Sequence, residues 1–287
     1  MILSLFLQKP QLNKKQQIEQ LNSIPNMTWR ARDYGVERSF GYKKLDEITQ
    51  MPKSGLHSKS AINKLSTYPE TLDWTSTHSR CFDVSDQGSC GSCWAVSSTN
   101  ILADLRCIHK VDAVRNKMSE QYLLSCDTDQ SGCDGGTYYL WDFIMKTGVP
   151  SFDCVCYKNK ATSVEPACPT KCDDNSDLEL YKIKSWAKVV GEEEFIAALQ
   201  YGPIYAGFDV YADFNDYESG IYQHQASADT PFGHAAEIVG YGVEGGIKYW
   251  KAKNTWGPFW GENGYYRILR GENHCGFEER GILVLLK

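Results

Sequence analysis

Gln87-Gly88-Ser89-Cys90-Gly91-Ser92-Cys93-Trp94-Ala95 is the stretch on which the reading of this chain turns. Glycine and serine lead straight into apolar residues at 94, 95, 101, 102, 105 and 108. That spacing predicts a helix from Trp94 to Ile108 with one buried face. A cysteine at its start sits among unpaired N–H groups at the positive end of the helix dipole, and both favour thiolate over thiol. A thiolate beside a histidinium attacks a carbonyl at neutral or acid pH. The oxyanion that forms needs donors already aimed at it. The Cys93 backbone N–H is one candidate, and the Gln87 side-chain amide is another. Two other readings of Cys90-x-x-Cys93 stand beside this one. It is a thioredoxin-like redox pair, although the βαβ setting is missing, or half of a zinc site completed by Cys168-x3-Cys172.

A nucleophilic thiolate needs a base, and the chain offers His57, His78, His109, His224, His234 and His274. His57 lies in a leader-like region. His109 falls on the same helix as Cys93 but far from its start. His234, in Gly233-His234-Ala235-Ala236, heads a strand and is flanked by residues too small to block an approaching peptide. The next strand ends in Lys253-Asn254-Thr255-Trp256-Gly257. Adjacent strands would bring the Asn254 carbonyl to the imidazole N–H, with Trp256 shielding the bond. Ordinary core packing is the plain alternative for Trp256 and Trp260.

The frame around these residues is an α+β one. Ser119 caps a predicted helix running to Leu124, and Thr137–Met145 is a third helix candidate. Ile204–Val210, Ala235–Tyr241, Ile247–Lys253, Tyr265–Leu269 and Ile282–Leu286 read as strands, mostly separated by glycine-containing turns. A helical half followed by a strand half predicts two lobes, the second an antiparallel sheet or barrel. Residues 12–24 form a short polar helix in this reading. Met51–Thr67 reads as an extended, protease-accessible linker, and the folded body starts near Tyr68-Pro69.

Composition narrows the function. With 287 residues, 42% of them apolar, the chain holds a real core. Its net charge of −6 argues against nucleic acid as partner. No stretch is long and apolar enough to span a membrane. Eleven cysteines point to an oxidising compartment, and the odd count leaves a thiol unpaired. The first cysteine is Cys81, and residues 1–67 carry 11 basic against 5 acidic groups. The chain therefore reads as a basic, cysteine-free leader on an acidic, cysteine-rich body. Ile2–Leu7 is either a trimmed signal segment, residues 1–8 at most, or the start of a leader helix. Asn26-Met27-Thr28 is a glycosylation sequon.

Taken together, the motifs resemble the papain-like cysteine proteases, and the cathepsin B branch most. Cys90-Gly91-Ser92-Cys93-Trp94 carries the likeness, with His234 and Asn254 following in the family's order. So do Cys133-Asp134-Gly135-Gly136, Gly220-Ile221-Tyr222-Gln223-His224 and Ile268-Leu269-Arg270-Gly271-Glu272-Asn273-His274-Cys275-Gly276. Met27-Thr28-Trp29-Arg30-Ala31 extends it into the leader. The resemblance implies the papain-like two-lobed fold: a helical lobe at about 80–180, an antiparallel barrel-like lobe at about 181–287, and a cleft between. It implies a 1–67 propeptide on a 68–287 peptidase domain. It implies Cys93 as nucleophile, His234 as acid and base, Asn254 as orienter and Gln87 as oxyanion donor. Gly91, Gly135 and Gly136 would meet substrate backbone, Tyr138, Ala235 and Arg280 would line the second subsite, and Trp256 would lie on the leaving-group side. Implied disulfides are Cys81–Cys107, Cys90–Cys133, Cys126–Cys168 and Cys154–Cys172, with Cys156 and Cys275 left over.

The same resemblance implies peptide and protein substrates, the propeptide as intramolecular inhibitor, no cofactor or metal, a monomer, and passage through the secretory pathway to a lysosome-like vacuole or the exterior. A catalytically inactive binding homologue would need a lesion in the catalytic set, and the sequence shows none. Two departures from cathepsin B stand out. Its paired-histidine occluding loop has no counterpart, since Cys154–Cys172 is short and lacks histidine; this predicts an open primed side and endopeptidase activity. Arg280 stands where cathepsin B has a glutamate that accepts P2 arginine. It either repels basic P2 side chains and attracts acidic ones, or pairs with Glu278 or Glu279 and leaves an apolar pocket. The opposite charges of leader and body predict an attraction that weakens on acidification, with faster processing near Lys64–Tyr68.

Overall fold

The computed structural model describes residues 12–36, 38, 67–159, 166–225 and 230–287. His57, the 1–8 segment and all but the end of the 51–67 linker lie outside them. Around the long helix α3 (Cys93–Ile108) two layers of core meet. Every residue of α3 except Arg106 is buried, so it is a central helix rather than an amphipathic surface one. One side packs with α4 (Glu120–Cys126) and α5 (Leu140–Lys146) in an apolar cluster that includes Leu102, Leu105, Leu123, Trp141 and Ile144. Ser119 does cap α4, accepting from the Tyr122 N–H. The third helix starts at Leu140, because Thr137–Tyr139 is taken up by a turn on Gln130.

The other layer is a nine-stranded sheet. Its strands are β1 (Trp29–Ala31), β2 (Leu72–Asp73), β3 (Ile183–Val189), β4 (Ile204–Val210), β5 (Tyr217–Tyr222), β6 (Phe232–Glu244), β7 (Ile247–Lys253), β8 (Tyr265–Leu269) and β9 (Gly281–Leu286). Their order is β1-β5-β8-β7-β6-β4-β9-β3, with β2 off the path on β6. The strands β1 and β3 are opposite ends of this order, so the sheet is open, and the barrel-like closure expected from sequence is corrected. All neighbours are antiparallel except β5 and β8. The strand β6 is buried over ten consecutive residues, because α3 covers one face and the sheet's own aromatic core the other. Helix α6 (Gly191–Leu199) closes that core with Phe195 and Leu199.

The two layers are bolted by buried charge. Lys253, at the end of β7, bonds the Asp104 carboxylate on α3 and lies 2.9 Å from Glu237 on β6. Arg115 reaches Asp104 at 2.6 Å. Lys253, Asp104 and Glu237 are all essentially fully buried. Four disulfides, Cys81–Cys107, Cys90–Cys133, Cys126–Cys168 and Cys154–Cys172, tie down the helical side and its loops.

The leader is part of the same body. Helix α1 (Lys14–Asn22) opens on a capping box built by Asn13 and Gln16, and Lys14 reaches Asp216 at 2.7 Å. The strand β1 extends the sheet at β5, with Trp29 opposite Gly220. A side chain at Gly220 would meet the Thr28 carbonyl at 2.4 Å, so only glycine admits this strand. Trp29 is buried between Tyr217 and Tyr222 and donates to the Gln223 carbonyl at 2.9 Å.

Candidate active site

Cys93 occupies the first turn of α3, behind the Ser92 cap, and is fully buried in the full-length chain. Its thiol is outside the four bridges. Cys90 is committed to Cys133, and Cys168 and Cys172 to other bridges, which removes both the redox-pair and the zinc readings. The Cys90–Cys133 bridge and the Gly91 N–H to Cys133 carbonyl bond, 3.0 Å, set the 132–136 loop beside the start of α3. Trp94 donates to the Gly132 carbonyl at 3.0 Å, and a Cβ on Gly136 would lie 2.4 Å from its indole. Gly136 therefore packs directly on the Trp94 indole, in the loop bonded to Gly91.

His234 comes from β6 and Asn254 from the residue after β7, and antiparallel pairing brings them together. The separation of His234 Nε2 from Asn254 Oδ1 is 2.7 Å. The same Oδ1 accepts the Thr255 N–H at 2.8 Å, which fixes the amide's orientation. Nε2 is therefore the protonated nitrogen, and Nδ1 is the one available to exchange a proton. The imidazole lies between Trp256, 4.9 Å away centroid to centroid, and Phe208 at 5.5 Å. Burial pushes its pKa down to about 4 against the supporting Asn254 bond, so in this enclosed state the ring is neutral. The Ser97 hydroxyl donates to the Ala235 carbonyl at 3.0 Å, pinning α3 to the strand residue next to His234.

Gln87 reaches the same place along a short antiparallel seam between the two layers. Its N–H donates to the Thr255 carbonyl at 2.8 Å, Asp86 bridges Trp256, and the Gly257 N–H meets the Ser85 carbonyl at 3.1 Å. The Thr255 hydroxyl bonds Gln87 Oε1, and Gln87 Nε2 donates to the Cys90 carbonyl at 2.9 Å. Thr255 thus holds both the candidate oxyanion donor and the orienter, a role its position beside Asn254 could have signalled. Tyr157 carries no sequence signal, since its partners are 65 and 70 positions away. It accepts from the Ser92 hydroxyl at 2.7 Å and donates to the Gln87 carbonyl at 2.8 Å.

The residues expected to line the second subsite also converge. Gly207 on β4 faces Ala235 on β6 and donates to the Arg280 carbonyl at 3.1 Å. Tyr138, from the helical side, brings its hydroxyl within 3.7 Å of the place a Gly207 Cβ would take. Arg280 pairs with Asp209, at 3.2 Å, and not with Glu278 or Glu279 as one reading of the sequence had it. Those two turn the other way, Glu278 to Trp250 and Gly271, Glu279 to Asn273. The remaining described histidines stand apart from Asn254. His78 bonds Thr77, His109 packs on Tyr201, and the His274 ring accepts the His224 N–H. On the Trp256 side Arg38 donates to the Trp256 carbonyl at 3.1 Å.

Comparison with known proteins follows the same lines. Residues 68–285 match the family described as papain family cysteine protease. "Cathepsin B-like CP3" of Giardia intestinalis is 40% identical over 280 residues, 92% of each chain. "Cathepsin B-like cysteine proteinase 5" of Caenorhabditis elegans is 31% identical over 95% of this chain and 90% of its own. Among solved structures, procathepsin B S9 from Trypanosoma congolense superposes with a TM-score of 0.82 at 28% identity, covering 96% of this chain and 99% of that one.

Proposed function

The chain belongs to the papain family of cysteine proteases, and on that premise we propose that it is a cathepsin B-like endopeptidase made as a zymogen. The single observation that carries the catalytic assignment is the His234–Asn254–Thr255 relay, which leaves one defined ring nitrogen to trade protons with a thiol at a helix start. The Cys93 thiolate attacks the peptide carbonyl carbon, and the carbonyl π pair moves to oxygen. The Cys93 N–H and the Gln87 amide stabilise that oxyanion. As the C–N bond breaks, His234 gives its proton to the leaving amine, and a thioester remains. Water then attacks while His234 takes its proton, the C–S bond breaks, and the thiolate returns with release of the carboxylic acid.

Residues 1–67 act as the propeptide on the 68–287 peptidase domain. The docking of α1 and β1 supports this. Removal of the leader readmits water, lifts the His234 pKa and favours the thiolate–imidazolium pair. Four disulfides support maturation in an oxidising compartment, on the way to a lysosome-like vacuole or secretion. The short, histidine-free Cys154–Cys172 stretch supports endopeptidase over dipeptidyl carboxypeptidase action.

The test is hydrolysis of a dipeptidyl fluorogenic amide at pH 5 to 6 after acid treatment, for the parent and Cys93→Ala. Activity blocked by a thiol-reactive epoxide and absent in the variant is the expected result. A folded, leader-free parent without activity overturns the protease reading in favour of an inactive binding homologue. Release of C-terminal dipeptides as fast as cleavage of amidated internal bonds overturns the endopeptidase assignment.

A further inference from the structure

We propose that Asp209, by holding Arg280 in a two-pronged ion pair, is the residue that sets the charge preference of the second subsite and keeps it for uncharged P2 side chains. This rests on the protease reading above and concerns the second subsite that the resemblance assigns to Tyr138, Ala235 and Arg280, beside which Gly207 stands. Alternation along β4 puts residues 207 and 209 on one face, so Asp209 stands beside the pocket floor. Arg280 Nη2 lies 3.2 Å from Asp209 Oδ2, and Nη1 lies 3.4 Å from Oδ1. The two side chains are only 10% and 19% exposed. The Arg280 Cβ and Cδ lie 3.8 Å from the Gly207 Cβ position. Gly207 thus faces the aliphatic stem of Arg280 and the Tyr138 hydroxyl, while the charged head is turned to Asp209.

The guanidinium is also boxed in. A Cβ on Gly276 would lie 2.8 Å from Arg280 Nη2, so that backbone walls its far side. The nearby Asp213 carboxylate is engaged by the Tyr222 hydroxyl, the His224 ring and the Gln225 N–H. Among the described residues Asp209 is the carboxylate that pairs with Arg280. An unpaired guanidinium in so enclosed a pocket would recruit an acidic P2 side chain and reject a basic one. An unpaired Asp209 would do the reverse. Paired, they present neither charge.

The experiment compares kcat/KM for dipeptidyl amides differing only at P2, as Leu, Glu or Arg, in the mature enzyme, Asp209→Asn and Arg280→Gln. Active enzyme is counted by epoxide titration, so each rate refers to assembled sites. The parent should prefer Leu over both charged residues. In Asp209→Asn the Glu:Leu ratio should rise about tenfold or more and the Arg:Leu ratio fall; Arg280→Gln should swing the opposite way. Should Arg280→Gln not fold, Asp209→Asn decides; should Asp209→Asn not fold, Asp209→Ser takes its place. A P2 profile in either variant that matches the parent's overturns the role of the pair. A swing in Arg280→Gln with none in Asp209→Asn overturns the role of Asp209. A parent that neither hydrolyses any of the three nor takes up the epoxide overturns the protease reading itself.

Discussion

Replacing Glu237 by Gln should remove a pH dependence of stability that the buried bolt imposes. Glu237 is fully buried, with Lys253 2.9 Å away. Burial first, and then the Asp104 charge, raise its pKa from 4.5 to about 8, while Lys253 opposes them. A pKa raised on folding means that the native state holds its proton more tightly than the unfolded chain. The associated stability is complete below the unfolded value and is lost as pH climbs through the folded one. The loss runs at up to about 1.4 kcal/mol per pH unit. From pH 5 to 7.5 that is about 3 kcal/mol at most, and about 2 after allowance for sharing of charge with Asp104 and Lys253. Gln mimics the protonated acid and cannot titrate. Urea unfolding of the two proteins in parallel should therefore coincide near pH 5 and diverge toward pH 7.5, the variant becoming the more stable. Groups that do not interact with Glu237 titrate alike in both and cancel in the difference. Curves that stay parallel across this range would refute the assignment of a proton to Glu237.

Three further outcomes follow from the site. Thr255→Val removes the hydroxyl that holds Gln87; kcat should fall about tenfold or more with KM little changed, and Thr255→Ser should restore it. Trp29→Ala empties the aromatic slot of β5, at a cost of about 3–5 kcal/mol to leader docking, and should let the zymogen process itself at a pH where the parent stays intact on a gel. In the full-length Cys93→Ala chain the His234 ring should remain neutral at pH 5 by NMR and titrate near 4. Because that pKa is depressed, the His234 contribution to zymogen stability declines as pH falls from 6.5 toward 4, and the leader-free form should titrate higher.

Much of this site can be read in the sequence because its chemistry is local. Cys93 is announced by its helix start, His234 by its small neighbours, and Asn254 by the end of a strand whose bounds, Ile247–Lys253, match the structure. The central strands were legible for the same reason, being short runs of β-branched and aromatic residues. The strands β1, β2, β3 and β5 and helix α6 were missed: the first two are very short, polar residues break β3 and β5, and three glutamates crowd the start of α6. The barrel-like closure failed because alternation along single strands says nothing of whether the ends of the order meet. Asp209 and Tyr157 were invisible because each acts on a residue about seventy positions away. The sequence left Arg280 either unpaired or paired with Glu278 or Glu279, and the fold supplied a carboxylate from another strand.

The seam that joins Gln87 to Thr255 closes a loop of 168 residues. Contacts between such distant parts of a chain form late, since the entropy of bringing the ends together must be met before they give anything back. A growing polypeptide that has just released its helix α3 has a thiol and no base. One still lacking β7 has a base with nothing to orient it. The machinery for cutting peptides therefore comes into being only when the last strands dock, by which time the leader, made first, has already been available to occupy its edge of the sheet. On the proposed function, order of synthesis would give the cell a safeguard in time as well as in space.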